Sequence, residues 1–202
     1  GGVSAAPYDT LNLGIHVGDD PAAVAENRRR LRESLRLPSE PTWLEQVHGT
    51  DVANLDEPSA PDADATSERG GDASTIRSAT VAAMPGDAPA MRRADAVVTH
   101  CAGPVCAIQV ADCMPVLFAT RDGSAVGAAH AGWRGLAGGV LEATIIALGQ
   151  PASNLIAWLG PAISQPHFEV GDEVRAAFIA HDPAAATAFA RNARDRWQCD
   201  LY

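Results

Sequence analysis

The chain has 202 residues, 47% hydrophobic and 20% charged, the composition of a folded globular protein long enough to bury a core without disulfides or a structural metal. Its net charge of −10 argues against the basic footprint of a nucleic-acid or anionic-membrane surface. All 15 basic residues are arginine, which excludes a Schiff-base lysine, a pyridoxal phosphate anchor and a P-loop lysine.

Thr10–Gly18 reads as a short strand with glycine breaks. Asp19-Asp20-Pro21 then opens a helix, with Asp20 as cap and proline at the first helical position, running to about Leu37. Val24, Leu31 and Leu35 share one face of it, and Arg28, Arg29, Arg30, Arg32 and Arg36 crowd the remainder as a solvated surface. Pro41–His48 alternates and is β-prone, so it reads as a strand ending at His48-Gly49. Residues 57–93, rich in Ala, Asp, Ser, Pro and Gly, exceed an ordinary connection and read as a mobile surface insertion, with one short helix or strand near Ser74–Ala83. Ala94–Thr99, Val105–Val110, Val116–Ala119 and Ser124–His130 are strand candidates. Leu136–Leu148 is helical by spacing, and Gly149 suits its stop. Leu155–Leu159 is a further strand; Gly171–His181 and Ala184–Arg194 are helices by composition.

Three segments stand apart from their alanine-rich surroundings: Gln46-Val-His48-Gly49, Ala111-Asp-Cys113-Met-Pro115 and His130-Ala-Gly-Trp-Arg134-Gly135. Each puts a His or Cys at or just past a strand end, where side chains can converge on one pocket. Two imidazoles and a thiolate suit a borderline-soft cation such as zinc, and three protein ligands leave a fourth position open, the mark of a catalytic site. The alternative is that His48 and His130 are hydrogen-bonded polar residues and Cys113 a small buried hydrophobe. After His130, a strand, a glycine turn and a helix start form an anion site to which Arg134 can add a bidentate grip on phosphate. The alternative there is that Gly132 and Gly135 permit a tight turn, Trp133 fills core and Arg134 pairs with a surface carboxylate. Asp112, beside Cys113, is either an N–H acceptor in a turn or a group acting from behind the ligands. His16 reads as a loop residue, and His167 and His181 as surface residues. His100 with Cys101 and Cys106 has the wrong spacing for a zinc ribbon.

Together with Asn12-Leu-Gly-Ile-His-Val-Gly-Asp-Asp-Pro21, Gly160-Pro-Ala-Ile163 and Phe168-Glu-Val-Gly171, these segments resemble the purine nucleoside phosphorylase/laccase-domain family. That family was once described as multicopper polyphenol oxidases and is also linked to peptidoglycan editing. The resemblance spans nearly the whole chain. It implies a single-domain α+β fold over residues 1–202, with mixed β-sheets sandwiched between helices in α/β/β/α layers. It implies Zn2+ (alternatively Cu2+) at His48, Cys113 and His130, which would also be the catalytic residues. It implies phosphorolysis of adenosine, inosine, guanosine and methylthioadenosine with an adenosine deaminase side activity, in a cytoplasmic, monomeric enzyme. The family pattern continues beyond the motif around Cys199, so the C-terminal end is expected to be missing here.

The same residues allow two other chemistries. Two histidines and a cysteine are also the equatorial set of a blue-copper centre, although a phenol oxidase that reduces oxygen to water needs more ligands than six histidines supply. Cys113 as nucleophile with His130 as base would make a metal-free hydrolase acting in peptidoglycan editing. The four cysteines form no CxxC pair, which suits a reducing compartment. No apolar run approaches the ~18 residues of a membrane span.

Overall fold

The computed structural model describes residues 1–57 and 91–202. The first helix, α1 (Pro21–Ser34), begins as its sequence predicts: the Asp20 carboxylate accepts the Ala22 N–H at 2.9 Å, and Pro21 occupies the first turn. Only Val24 and Asn27 are buried on it, and Leu35 stands 61% exposed beyond its end. The arginines divide. Arg29 and Arg30 pair with Glu26 and Glu33 on the surface, whereas Arg28 turns inward, bonds the Leu13 carbonyl and stacks 4.0 Å over Trp43.

Four short strands follow: β1 (Pro41–Thr42), β2 (Leu44–Glu45), β3 (Val52–Asn54) and β4 (Arg92–Arg93). Then come β5 (Ala96–Thr99), β6 (Val105–Cys106), β7 (Met114–Thr120) and β8 (Val126–Ala131). Helices α2 (Trp133–Gly138) and α3 (Val140–Leu148) lead into β9 (Leu155–Leu159). After these lie β10 (Glu169–Val170), α4 (Asp172–His181), β11 (Phe189–Arg191) and β12 (Trp197–Cys199). The result is an α+β fold. Its centre is a five-stranded mixed sheet in the order β3-β5-β8-β7-β9, where only the β3–β5 pair is parallel. The pairs β1–β6 and β2–β4 and the three-stranded β10-β12-β11 form smaller sheets.

The pleat sorts the central sheet into two faces. Ala96, Val98, Met114, Val116, Phe118, Ala129 and Ala131 point to one core with Val140 and Leu148 of α3. Val97 and Ala128 point the other way, against Leu44, Ala53 and Ala94. Val97 and Val98 are fully buried on opposite faces, each contributing about 1.5–3 kcal/mol by burial.

Several expectations are corrected. Thr10–Gly18 is not a strand: the Asn12 side chain bonds both the N–H and the carbonyl of Gly14, and this local bonding displaces a ladder. The Pro41–His48 strand is broken at Trp43 and ends at Glu45. The Val105–Val110 strand stops at Cys106, because the Gln109 backbone pairs with the Gln46 side chain instead of a neighbouring strand. The Leu136–Leu148 helix is two helices, split where Gly139 takes a left-handed φ of 95°. Ala184–Arg194 is a 3-10 turn (Pro183–Ala188) followed by β11, since pairing with β12 and burial of Phe189 override the helical preference of alanine. Arg92–Arg93, placed in the insertion, forms β4 against β2. The element expected near Ser74–Ala83 lies outside the described residues.

One surface pair ties α3 to the end of β5. His100 Nδ1 meets Asp56 Oδ2 at 2.7 Å, and its Nε2 meets the Leu148 carbonyl at 3.2 Å. The Asp56 bond, then the Leu148 carbonyl, hold the His100 pKa above its ordinary value against partial burial. Bonds from Thr99 and His100 bring Asp56 down to about 2, although burial opposes them. A raised histidine stabilises the fold below its unfolded pKa of about 6.5, and that contribution is lost as pH rises through the folded value. A depressed aspartate contributes above its unfolded pKa of about 3.9, and this is lost as pH falls toward the folded one. The pair is therefore worth most between about pH 4 and 6.5. Thermal melts of wild type and His100→Gln should differ more at pH 5.5 than at pH 9; an equal difference at both would show that the ion pair adds nothing.

Candidate metal centre

The sheet brings the three sequence motifs together at one end. His130 is the penultimate residue of β8 and lies opposite Pro115 of β7, so Cys113, just before β7, sits beside it. His48 comes from the turn between β2 and β3. Their ligand atoms all lie within 4.8 Å of one another, with His48 exposed, Cys113 half-buried and His130 buried. Cys113 Sγ is 3.9 Å from His48 Nε2, and the two imidazoles meet edge to face with centroids 4.7 Å apart. A tetrahedral ion with Zn–S near 2.3 Å and Zn–N near 2.0 Å would set sulfur and nitrogen about 3.5 Å apart, so small side-chain shifts close the site on a metal. This is the one cluster of at least three His, Cys, Asp or Glu residues of metal-holding geometry among the described residues.

The residue that organises the cluster is Asp95, which sequence reasoning missed. It directly precedes β5, and its carbonyl accepts the His130 N–H at 2.8 Å, so the two residues face each other across β5 and β8. Its side chain is fully buried. Oδ1 accepts from His48 N at 2.9 Å and His130 Nδ1 at 2.9 Å; Oδ2 accepts from Val47 N at 3.1 Å and Gly49 N at 2.6 Å. Burial pushes the carboxyl pKa up, but the bonds from His130 and the three backbone N–H groups outweigh it and leave the group ionised below its ordinary range. Two consequences follow. With Nδ1–H committed to the carboxylate, His130 offers its Nε2 lone pair to the cluster. The three successive N–H groups form an anion-binding nest that holds His48 at a left-handed φ of 62°, a conformation costing a non-glycine residue about 1–3 kcal/mol. The available signal was a carboxylate inside the apolar run Ala94-Asp-Ala-Val-Val-Thr99, a position that burial permits only to a paired charge.

Asp112 is exposed, and its carboxylate makes no hydrogen bond or ion pair among the described residues; its backbone carbonyl accepts the Ile163 N–H. Burial, then Asp112 and Asp95, push the Cys113 thiol above its ordinary value. Burial and the neighbouring His130 push the His48 pKa down, with Arg134 adding to this and Asp95 opposing it. Arg134 lies 4.5 Å over the Trp133 ring and forms no ion pair among the described residues.

Neither glycine of the third motif has a positive φ. Both are needed for room. A Cβ on Gly132 would stand 2.8 Å from His48 Cδ2 and 3.1 Å from Cys113 Sγ, and one on Gly135 would stand 2.8 Å from the Gly49 carbonyl.

Residues 1–202 match the family model described as multi-copper polyphenol oxidoreductase laccase. The chain belongs to this family. It is 46% identical over 202 residues to Purine nucleoside phosphorylase YfiH of Escherichia coli, covering 100% of this chain and 71% of that protein. A purine nucleoside phosphorylase of Pseudomonas aeruginosa is 48% identical over 203 residues, with 100% and 70% covered. A crystal structure of a Neisseria meningitidis protein superposes with a TM-score of 0.79 at 41% identity, covering 100% of this chain and 71% of that one. Both of these relatives are named as purine nucleoside phosphorylases. No helix among the described residues is long and apolar enough to cross a membrane.

Asp95→Asn leaves one acceptor oxygen for four donors. It should weaken metal binding by about 10–100-fold in competition with a chelating dye; unchanged affinity would mean that His48 and His130 hold their places without the carboxylate. Gly132→Ala, whose backbone angle alanine accepts, should keep the far-ultraviolet dichroism of the wild type while losing metal. Full metal occupancy in that variant would contradict the crowding described above.

Proposed function

We propose that this family member is a zinc-dependent purine nucleoside phosphorylase. Its substrates would be adenosine, inosine, guanosine and methylthioadenosine, with adenosine deamination as a side activity. One observation carries this above the others: His48, Cys113 and His130 converge on one point, near enough to Arg134 for its charge to act on His48, and that arginine has no carboxylate partner among the described residues, in a chain whose relatives are named for this reaction. A zinc ion bound there would supply Lewis-acid polarisation of an oxygen. His48, Cys113 and His130 would hold it and carry the catalytic role.

The chain's own residues supply the rest. Arg134 would grip phosphate through paired N–H donors. The helix that starts beside it, α2, has only six residues, so the arginine rather than the helix end carries the anion. An oxygen of the held hydrogen phosphate attacks C1′ of the ribose as the C1′–N9 bond breaks, and the proton that the phosphate gives up passes through solvent to the departing purine, giving ribose 1-phosphate and free purine. His130 cannot donate its Nδ1 proton without leaving Asp95, so it stays a ligand and not a general acid. Asp112, exposed beside Cys113, would act from behind the ligand by its charge alone. The four free cysteines suit a cytoplasmic enzyme, which we take to act as a monomer.

The family description favours one alternative, a laccase-like copper oxidase of phenols. His100, which is bonded to Asp56 and the Leu148 carbonyl, and the exposed His167 and His181 lie outside the cluster. A metal-free Cys113 hydrolase is disfavoured because its thiol is raised, the opposite of an activated nucleophile.

Chromatography of adenosine with the metal-loaded protein decides between these. Adenine and ribose 1-phosphate should form only with phosphate, and Cys113→Ala should abolish them. Arg134→Gln should raise the phosphate KM by about 10- to 100-fold, the worth of a charge-assisted bond. Inosine formed without phosphate would make deamination the main reaction, and phenol oxidation with stoichiometric copper would favour the alternative.

A further inference from the structure

We propose that residues 11–17, together with Gln109, form the nucleoside-recognition wall of the site, with His16 and Gln109 reading the polar edge of the substrate. This rests on the purine reading above and assigns the contacts that reading leaves open.

The loop and Gln109 line the same groove as His48, Cys113 and His130. Gln109 is four residues before Cys113, at most about 14 Å along an extended chain, and Gln46 is two residues before His48. The Gln46 amide donates to the Gln109 carbonyl at 2.8 Å and accepts the Gln109 N–H at 2.7 Å, clamping together the two segments that deliver the cluster.

The loop backbone is held as firmly. Asn12 closes on Gly14, Asn27 donates to the Asn12 carbonyl at 2.9 Å, and Arg28 donates twice to the Leu13 carbonyl at 2.9 and 2.7 Å. Against this fixed frame, two polar side chains make no hydrogen bond among the described residues: His16 and Gln109. They flank one point, since a Cβ on Gly14 would touch His16 Cε1 at 3.5 Å and Gln109 Nε2 at 3.7 Å. Around them Leu11, Ile15 and Val17 stand 44%, 52% and 45% exposed.

A rigid wall with exposed apolar side chains and a few convergent polar groups is the make-up of a small-molecule site. A purine nucleoside fits that chemistry. Its ring face covers aliphatic side chains, and its edge presents donors and acceptors that a carboxamide can match in pairs, as glutamine does on the N6/N7 edge of adenine. The cluster would then lie at the ribose end.

The test is steady-state kinetics of metal-loaded wild type, His16→Ala, Gln109→Ala and the double variant, varying adenosine and phosphate separately. Each single change should raise the adenosine KM about three- to tenfold, the worth of one hydrogen bond, and the double change by about 10- to 100-fold. Phosphate KM and metal content should not move, a split that general loosening of the groove would not produce. An unchanged adenosine KM in the double variant, or an equal rise in the phosphate KM, would overturn the proposal while wild-type turnover keeps the purine reading intact. Wild type that holds metal and turns over no nucleoside would overturn both.

Discussion

One buried carboxylate, Asp95, accepts four N–H donors, and the geometry of the cluster depends on that sharing. It fixes the hydrogen-bonding state of one imidazole through the side chain and the position of the other through the backbone. The arrangement serves fold and site together. The bond between β5 and β8 continues through the Asp95 carbonyl, and the turn carrying His48 is fastened to the same residue. A charge without those donors could not be buried at this place, and the donors without the charge would be left unpaired.

Room is the second requirement. The cluster is a gap between side chains as much as a set of ligands, and Gly132 keeps the gap open. Gly135 lets the start of α2 approach the His48 turn, so the third motif packs against the first. Both glycines invite explanation by turn geometry, yet their backbone angles are ordinary and the constraint is close approach.

Much of this was legible in the residues. His48, Cys113 and His130 announced themselves because polar, metal-competent side chains stood at or near strand ends close to glycine or proline. The α1 start, β7, β8 and β9 followed from capping and from apolar runs. Asp95 was not singled out because its partners are 35 and 47 residues away, and only their assembly explains a charge in that run. The same limit explains the last quarter of the chain. An alanine-rich stretch looked helical in isolation, whereas β11 exists only by pairing with β12. The split at Gly139 was readable in principle from adjacent glycines, but the apolar spacing continued across it and outweighed them.

The strand pair that brackets residues 58–90 has a consequence for chain length. On one side β3 is held to β5, and on the other β4 is held to β2. Arg92 reaches across to the carbonyls of Asn54 and Glu57, which clasps the two ends to each other. Closing a loop between fixed ends costs only about 0.6 kcal/mol for each doubling of its length. A change of length between residues 57 and 91 would therefore leave β3, β4 and the cluster built around His48 and Asp95 held by contacts outside that span.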